Sequence, residues 1–206
     1  MEVRLENTGR KFNNEWIFRN INYTFESGSA YAVLGRNGSG KSTLLQVIAG
    51  NLLPSAGQVF YSWNGNVISE HHIFRHLALV APYQELIEEF TLDEMLTFHF
   101  RFKSLSDGFT IRRIKDILSL GNVRRKPIRQ FSSGMKQRVK LACALFSDAP
   151  LLLLDEPTTN LDQAGTDWYL NMVSEYSKSR TVIICSNLYQ VESGFCKATI
   201  SIEDYK

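Results

Sequence analysis

The chain has 206 residues, 44% of them hydrophobic, enough to bury one substantial core or at most two small ones. Its 23 Lys and Arg nearly balance 21 Asp and Glu, a formal net charge of +2, so no global field would gather nucleic acid. No run approaches the roughly eighteen apolar positions of a membrane span, and the opening Met1-Glu2-Val3-Arg4-Leu5-Glu6 lacks the apolar core of a secretion signal, so the chain is expected in the cytosol.

Residues 3–5 and 17–25 read as strands leading into a third at 31–34, with a turn at Glu26-Ser27-Gly28-Ser29. Directly after the third strand comes Gly35-Arg36-Asn37-Gly38-Ser39-Gly40-Lys41-Ser42-Thr43, then a helical stretch to Ala49 that Gly50 can close. The glycines let successive N–H groups and the helix N-terminus face a polyphosphate. Lys41 can reach the β- and γ-phosphates, and Ser42 can bind the Mg²⁺ that bridges them. A hairpin follows at 58–68 around Asn64-Gly65, so an antiparallel β layer sits beside the nucleotide core. Residues 77–80 form a short buried strand running into Ala81-Pro82-Tyr83-Gln84.

From about 85 to 130 the pattern is helical. Thr91 and Glu94 form a capping box before the apolar set Met95, Leu96, Phe98 and Phe102. A second helix carries Ile111, Ile114, Ile117 and Leu118 and is closed by Gly121. The runs 151–154 and 181–185 are continuous apolar stretches of strand length, as in parallel strands covered on both faces, with a helix at about 164–177 between them. The expected fold is α/β: a P-loop NTPase with a doubly wound, mostly parallel sheet, an N-terminal antiparallel β subdomain and a helical insertion. One domain spans 1–206: β subdomain and P-loop core at about 1–80, helical subdomain at about 85–135, last core strands at about 136–206.

Two constellations sharpen the chemistry. Asp155-Glu156 end a buried strand, where ligands of such sheets bind. Asp155 is placed to hold the Mg²⁺ shell and Glu156 to orient or deprotonate the attacking water; the plain alternative is a strand ending in solvated charges. Ser132-Ser133-Gly134 open a helix carrying Val139, Leu141, Ala142, Leu145 and Phe146, a second anion site or simply a cap.

The P-loop, a glutamine after a strand, Phe131-Ser132-Ser133-Gly134-Met135-Lys136-Gln137-Arg138, and then Leu154-Asp155-Glu156-Pro157-Thr158 together resemble the ATP-binding cassette (ABC) family across essentially the whole chain. The resemblance implies an ATP- and Mg²⁺-binding ATPase in which two cassettes pair head to tail, as a homodimer or with a related cassette. Each ATP then lies between one P-loop and the other copy's signature helix at Ser132, Ser133 and Gly134. It implies Gly35 to Thr43 as Walker A, Asp155 as the Walker B carboxylate and Glu156 as the catalytic glutamate. Gln84 takes the Q-loop position, contacting Mg²⁺ and the attacking water and sensing the membrane partner; Asn160-Leu161-Asp162 resembles the D-loop, and Phe12 falls where an aromatic ring stacks on adenine.

Two features depart from the family pattern. The signature commonly reads Leu-Ser-Gly-Gly-Gln, and this variant is similar to cassettes of exporters. After the last apolar strand the family has a switch histidine at the γ-phosphate; Ser186 is expected there, and a serine can donate a hydrogen bond but carries no charge. Slow turnover with intact ATP binding follows.

The leading reading is the ATP-hydrolysing subunit of a membrane transporter, an exporter, held on the cytoplasmic face by a separate transmembrane permease subunit, with no nucleic-acid partner. The other reading is a soluble regulatory or nucleic-acid- or ribosome-associated cassette with slow turnover. His71, His72 and His76, the basic run Arg124, Arg125, Lys126 and Arg129, and the cysteines Cys143, Cys185 and Cys196 are read as solvated or core residues without metal or redox roles.

Overall fold

The computed structural model describes residues 1–121, 125–187 and 189–206. Its first strand, β1 (Glu2–Phe12), runs well past the predicted 3–5. Asn7 adopts a left-handed φ of 48° and the register shifts between Leu5 and Thr8, so a bulge rather than the strand's end lies there. β1 pairs antiparallel with β2 (Glu15–Phe25) and with β4 (Ala56–Trp63), and β4 continues into β5 (Asn66–Ile68). Asn64 and Gly65 both take positive φ, 50° and 77°, as the two-residue hairpin turn demands.

The second sheet has the order β6 (Leu77–Val80), β7 (Leu151–Asp155), β8 (Thr181–Ser186), β3 (Ala30–Leu34), β9 (Ala198–Ser201), with all neighbours parallel. Alternate residues of β8 face opposite layers. Ile183 and Cys185 join Leu44, Leu45 and Val47 of α1 (Lys41–Ile48) and the antiparallel sheet. Val182 and Ile184 pack with Leu141 and Leu145 of α4 (Ser133–Leu145) and Tyr169 and Val173 of α5 (Gln163–Tyr176). Helices thus cover both faces, which is the doubly wound arrangement that the apolar runs predicted.

The helical layer is built by α2 (Leu92–Phe102), α3 (Ile111–Leu118) and one flank of α4, whose Val139, Ala142, Cys143 and Phe146 pack on Leu92, Leu96, Ile114 and Leu118. The capping box forms: the Thr91 hydroxyl accepts from Glu94 N–H at 3.4 Å and the Glu94 carboxylate from Thr91 N–H at 2.8 Å. The predicted apolar set on α2 divides. Met95 and Leu96 are buried, whereas Phe98 and Phe102 stay exposed and stack edge to face at 5.2 Å. α3 stops at Leu118 with Ser119 in the left-handed conformation, two residues before the glycine expected to close it. Of the basic run, Arg124 lies outside the described residues, and Arg125, Lys126 and Arg129 are exposed. Cys143 and Cys185 are buried and Cys196 partly so, and the His76 ring packs against Trp63. No helix among the described residues is long and apolar enough to cross a membrane.

The last carbonyls of α4 have no partners within the helix. Arg180, at 8% exposure, supplies them: its guanidinium donates to the carbonyls of Ala149 (2.7 Å), Leu145 (2.9 Å) and Ala144 (3.2 Å). Burial pulls this guanidinium down to about 10, and the three acceptors and the helix dipole hold it in place. Arg180→Ala would leave buried carbonyls unpaired. It is expected to cost about 3 kcal/mol, a fall in Tm of roughly 6–12 °C by circular dichroism, with Arg180→Lys recovering only part because an ammonium cannot span three carbonyls.

Candidate functional site

β7, β8 and β3 are neighbours, and their carboxyl ends lie in register: Asp155 opposite Cys185, Cys185 opposite Val33, Leu34 opposite Ser186. The P-loop leaves β3, the acid pair ends β7 and the switch segment leaves β8, so all three meet along one sheet edge. A cavity of about 300 Å³ opens there, lined by residues 37–43, Ile17 and Glu156. Gly40 has φ 105°, and a Cβ on it would collide with the Ile17 side chain, so only glycine brings the loop this close to β2.

Lys41 is 4% exposed and its ammonium donates to the carbonyls of Gly35 (2.8 Å) and Arg36 (3.0 Å). Its third partner is the Asn187 Oδ1 at 2.6 Å. The Asn187 amide group also donates to the Glu156 carboxylate at 2.9 Å and to Asn37. Glu156 sits at φ 45°, a strained conformation for a side chain of its size, held by its N–H donating to the Cys185 carbonyl at 2.9 Å and its carbonyl accepting from Thr159 N–H at 3.1 Å.

Asp155 is 2% exposed and neither carboxylate oxygen has a hydrogen-bond partner by geometry. Burial pushes its carboxyl above the ordinary carboxylate range, while the neighbouring Ser42 hydroxyl pulls it back and the charge of Glu156 pushes it up again. Two orphaned oxygens beside a serine hydroxyl and a phosphate cradle fit a hard, oxygen-seeking divalent cation.

Ser186 borders an open hollow with Gly35, Arg36, Asn37 and Asn187, but its hydroxyl does not meet Lys41. It is 1% exposed and its hydroxyl donates to the Glu192 carboxylate on the far side of the strand. The reason is strand parity. Cys185 points its thiol at the Lys41 carbonyl (3.4 Å), so residue 186 must face away and residue 187 return to the P-loop side. Asn187 therefore occupies the place expected for Ser186, and the alternation of residues 183, 185 and 187 was the available signal.

Gln84 lines a groove distinct from the P-loop cavity. Its Oε1 accepts from Ala81 N–H at 3.0 Å, within its own turn, while the phenol of Tyr83 bonds the Gln46 side chain and feels the Asp155 charge. Phe12 ends β1 with 44% exposure, and the Arg10 guanidinium covers its ring at 4.7 Å; Ile17, not Phe12, lines the P-loop cavity. The Arg36 N–H is held by the Glu203 carboxylate at 3.0 Å, a contact from the far end of the chain that no local pattern signals.

Ser132 caps α4, accepting from Met135 N–H at 3.2 Å, and Ser133 lines a separate groove with Gln84, Gln137 and Asn160. A Cβ on Gly134 would lie 2.9 Å from the Asn160 carbonyl, so the signature glycine packs tightly on the D-loop of its own chain. Asp162 caps α5, accepting from Gly165 N–H at 2.7 Å.

Among curated proteins, the chain is 26% identical over 197 residues to a lantibiotic transport ATP-binding protein, SrtF, of Streptococcus pyogenes, covering 90% of this chain and 80% of that one. It is 31% identical over 189 residues to the cytochrome c biogenesis ATP-binding export protein CcmA of Brucella abortus, covering 90% and 85%. Its fold is similar to that of an ATP-binding protein of a putative ABC transporter from Pyrococcus furiosus, with TM-score 0.84, 22% identity and full coverage of both chains. The family model for ABC transporters matches residues 18–159, well over half of the sequence, and the chain therefore belongs to the ABC transporter family as one of its ATP-binding, ATP-hydrolysing subunits.

Proposed function

We propose that this chain is the ATPase of an exporter, working as half of a head-to-tail cassette pair and energising a separate membrane subunit through the groove beside Gln84. The observation that carries the pairing is the division of its own surfaces. The P-loop cavity is walled by residues 37–43, Ile17 and Glu156, while Ser133 of the signature lines another groove with Asn160. Each surface is one side of a nucleotide site, and a second cassette turned end for end supplies the other. The similarity to SrtF and CcmA, whose names describe lantibiotic transport and cytochrome c biogenesis export, supports the export direction.

In this reading the N–H groups of residues 38–43 and the Lys41 ammonium bind the phosphates, which replace neutral acceptors around the lysine by charged ones. Ser42 and Asp155 would hold Mg²⁺, which when bound neutralises charge on the β- and γ-phosphates. Glu156 accepts a hydrogen bond from the attacking water and takes its proton as the water oxygen bonds to the γ-phosphorus and the bond to the β–γ bridging oxygen breaks, with ADP as the leaving group. Asn187, already hydrogen-bonded to both Lys41 and Glu156, orients that water and the terminal phosphate. Adenine takes the Phe12 ring, displacing the Arg10 guanidinium from one face.

Glu156→Gln is expected to lower ATP turnover by at least about a hundredfold while ATP binding persists, and to trap an ATP-dependent dimer in size-exclusion chromatography. Turnover that rises with RNA or DNA and not with a co-purified membrane protein would overturn the transport reading.

Because Asn187 is neutral, wild-type turnover is expected to be slow. Asn187→His restores a charge-assisted contact and should raise kcat by about tenfold below pH 7, with the gain fading as the imidazole loses its proton. Asn187→Ala should lower kcat and leave the KM for ATP within about threefold.

A further inference from the structure

Glu192, the last residue of α6 (Tyr189–Glu192), takes no part in the chemistry above, yet it is 2% exposed and its carboxylate lies just behind the catalytic edge. One oxygen accepts from the Thr158 N–H at 3.0 Å and from the Thr158 hydroxyl; the other accepts from the Ser186 hydroxyl. Its backbone carbonyl accepts from the fully buried Tyr169 hydroxyl at 3.0 Å. Three segments thus converge on one residue: the turn two residues past Glu156, the end of β8 one residue before Asn187, and the helix that follows the D-loop.

We propose that Glu192 is a positioning residue: its buried carboxylate clamps the end of β8 to the turn after Asp155-Glu156, so that Asn187 and Glu156 are held in one frame and move together with the D-loop helix. The inference rests on the reading of Glu156 as the base. Three physical features support it.

First, a carboxylate taken out of water is costly unless its lone pairs are filled, and here the Thr158 N–H, the Thr158 hydroxyl and the Ser186 hydroxyl that fill them are all neutral. A cation is not being neutralised; two backbone segments are being joined. A carboxylate suits this because both oxygens accept; an amide keeps both contacts only by reversing one of them and donating to the Ser186 hydroxyl.

Second, Glu156 is strained at φ 45°, and such a conformation persists only where its surroundings over-determine it. The grip on Thr158, two residues downstream, is one of those constraints. Third, a cavity of about 150 Å³ lies between Glu156, Thr158, Thr159, Asn187 and Glu192, with room for several waters. Glu192 is part of its lining, so the space beside the base keeps its shape only while the clamp holds.

The test is a double-mutant cycle read in kcat, ATP affinity and amide exchange on the full chain. Glu192→Ala is expected to lower kcat by about thirtyfold or more, with ATP affinity within about threefold of wild type, and to speed exchange of the Thr158 amide. Ser186→Ala should lower kcat by about fivefold, and the Ser186→Ala/Glu192→Ala pair should lose no more than Glu192→Ala alone, because both remove one contact. Glu192→Gln should recover most of the loss, since its amide can still accept from Thr158 and donate to the Ser186 hydroxyl. Should Glu192→Ala not fold, the same cycle runs with Glu192→Asp, whose shorter side chain cannot reach both Thr158 and the Ser186 hydroxyl, and Ser186→Ala.

Multiplicative losses, an equal fall in kcat and ATP affinity, or unchanged protection of the Thr158 amide would each overturn the proposal. Amide exchange at Thr158 is read without turnover. A failure of Glu156 as the base, seen as an active Glu156→Gln, is therefore distinguishable from a failure of the clamp.

Discussion

Everything at the site depends on three parallel strands ending level with one another. β7, β8 and β3 pair so that Asp155, Cys185 and Val33 lie side by side. A slip of one residue in any strand would turn its terminal side chain to the opposite face. The register is secured from both sides, since Ile183 and Cys185 are locked against α1 while Val182 and Ile184 are locked against α4 and α5. The P-loop, the acid pair and Asn187 inherit their spacing from that packing, so core burial and site geometry are one problem here.

The signature helix transmits between layers because it belongs to two cores at once. Leu141, Ala144 and Leu145 face the parallel sheet, while Val139, Ala142, Cys143 and Phe146 face α2 and α3. Its carboxyl end is fastened by Arg180, which begins the approach to β8, and its amino end packs through Gly134 on Asn160. A helix pinned at both ends and packed on both flanks has little freedom to shift against either layer.

What could be read from the sequence was what local chemistry dictates. The P-loop needs its glycines whatever the surroundings, Thr91 and Glu94 satisfy each other's backbone, and Asn64-Gly65 can hardly be anything but a tight turn. The fold class followed from apolar runs of strand length, because covered parallel strands cannot afford polar residues. What resisted reading was set by partners distant in sequence. β1 continues through Asn7 and Thr8 because β2 and β4 hold it on both sides. Phe98 and Phe102 look like core by periodicity but have no layer above them. Ser186 was placed at the phosphate by counting from the end of the apolar run, where counting by alternate faces along β8 leads to Asn187. Glu192 carries no motif at all, and its position becomes meaningful only when β8, β7 and α5 are assembled.

The two halves of the ligand site are prepared differently, and the difference bears on selectivity. Lys41 has three acceptors, all of them neutral oxygens of the protein. A ligand that offers only neutral oxygens gains nothing by displacing them, whereas a phosphate oxygen forms a charge-assisted bond roughly twice as strong. The lysine thus discriminates by charge, and a nucleotide without its outer phosphates has no means of competing for it. Asp155 is the opposite case, because its buried oxygens face only the neighbouring Ser42 hydroxyl and the carboxyl is pushed toward its neutral form by burial. A cation meeting it recovers a desolvation cost already incurred in folding. On the proposed function, a phosphate at Lys41 and a cation at Asp155 would reinforce each other across Ser42, so that the site would favour the charged pair over either component alone.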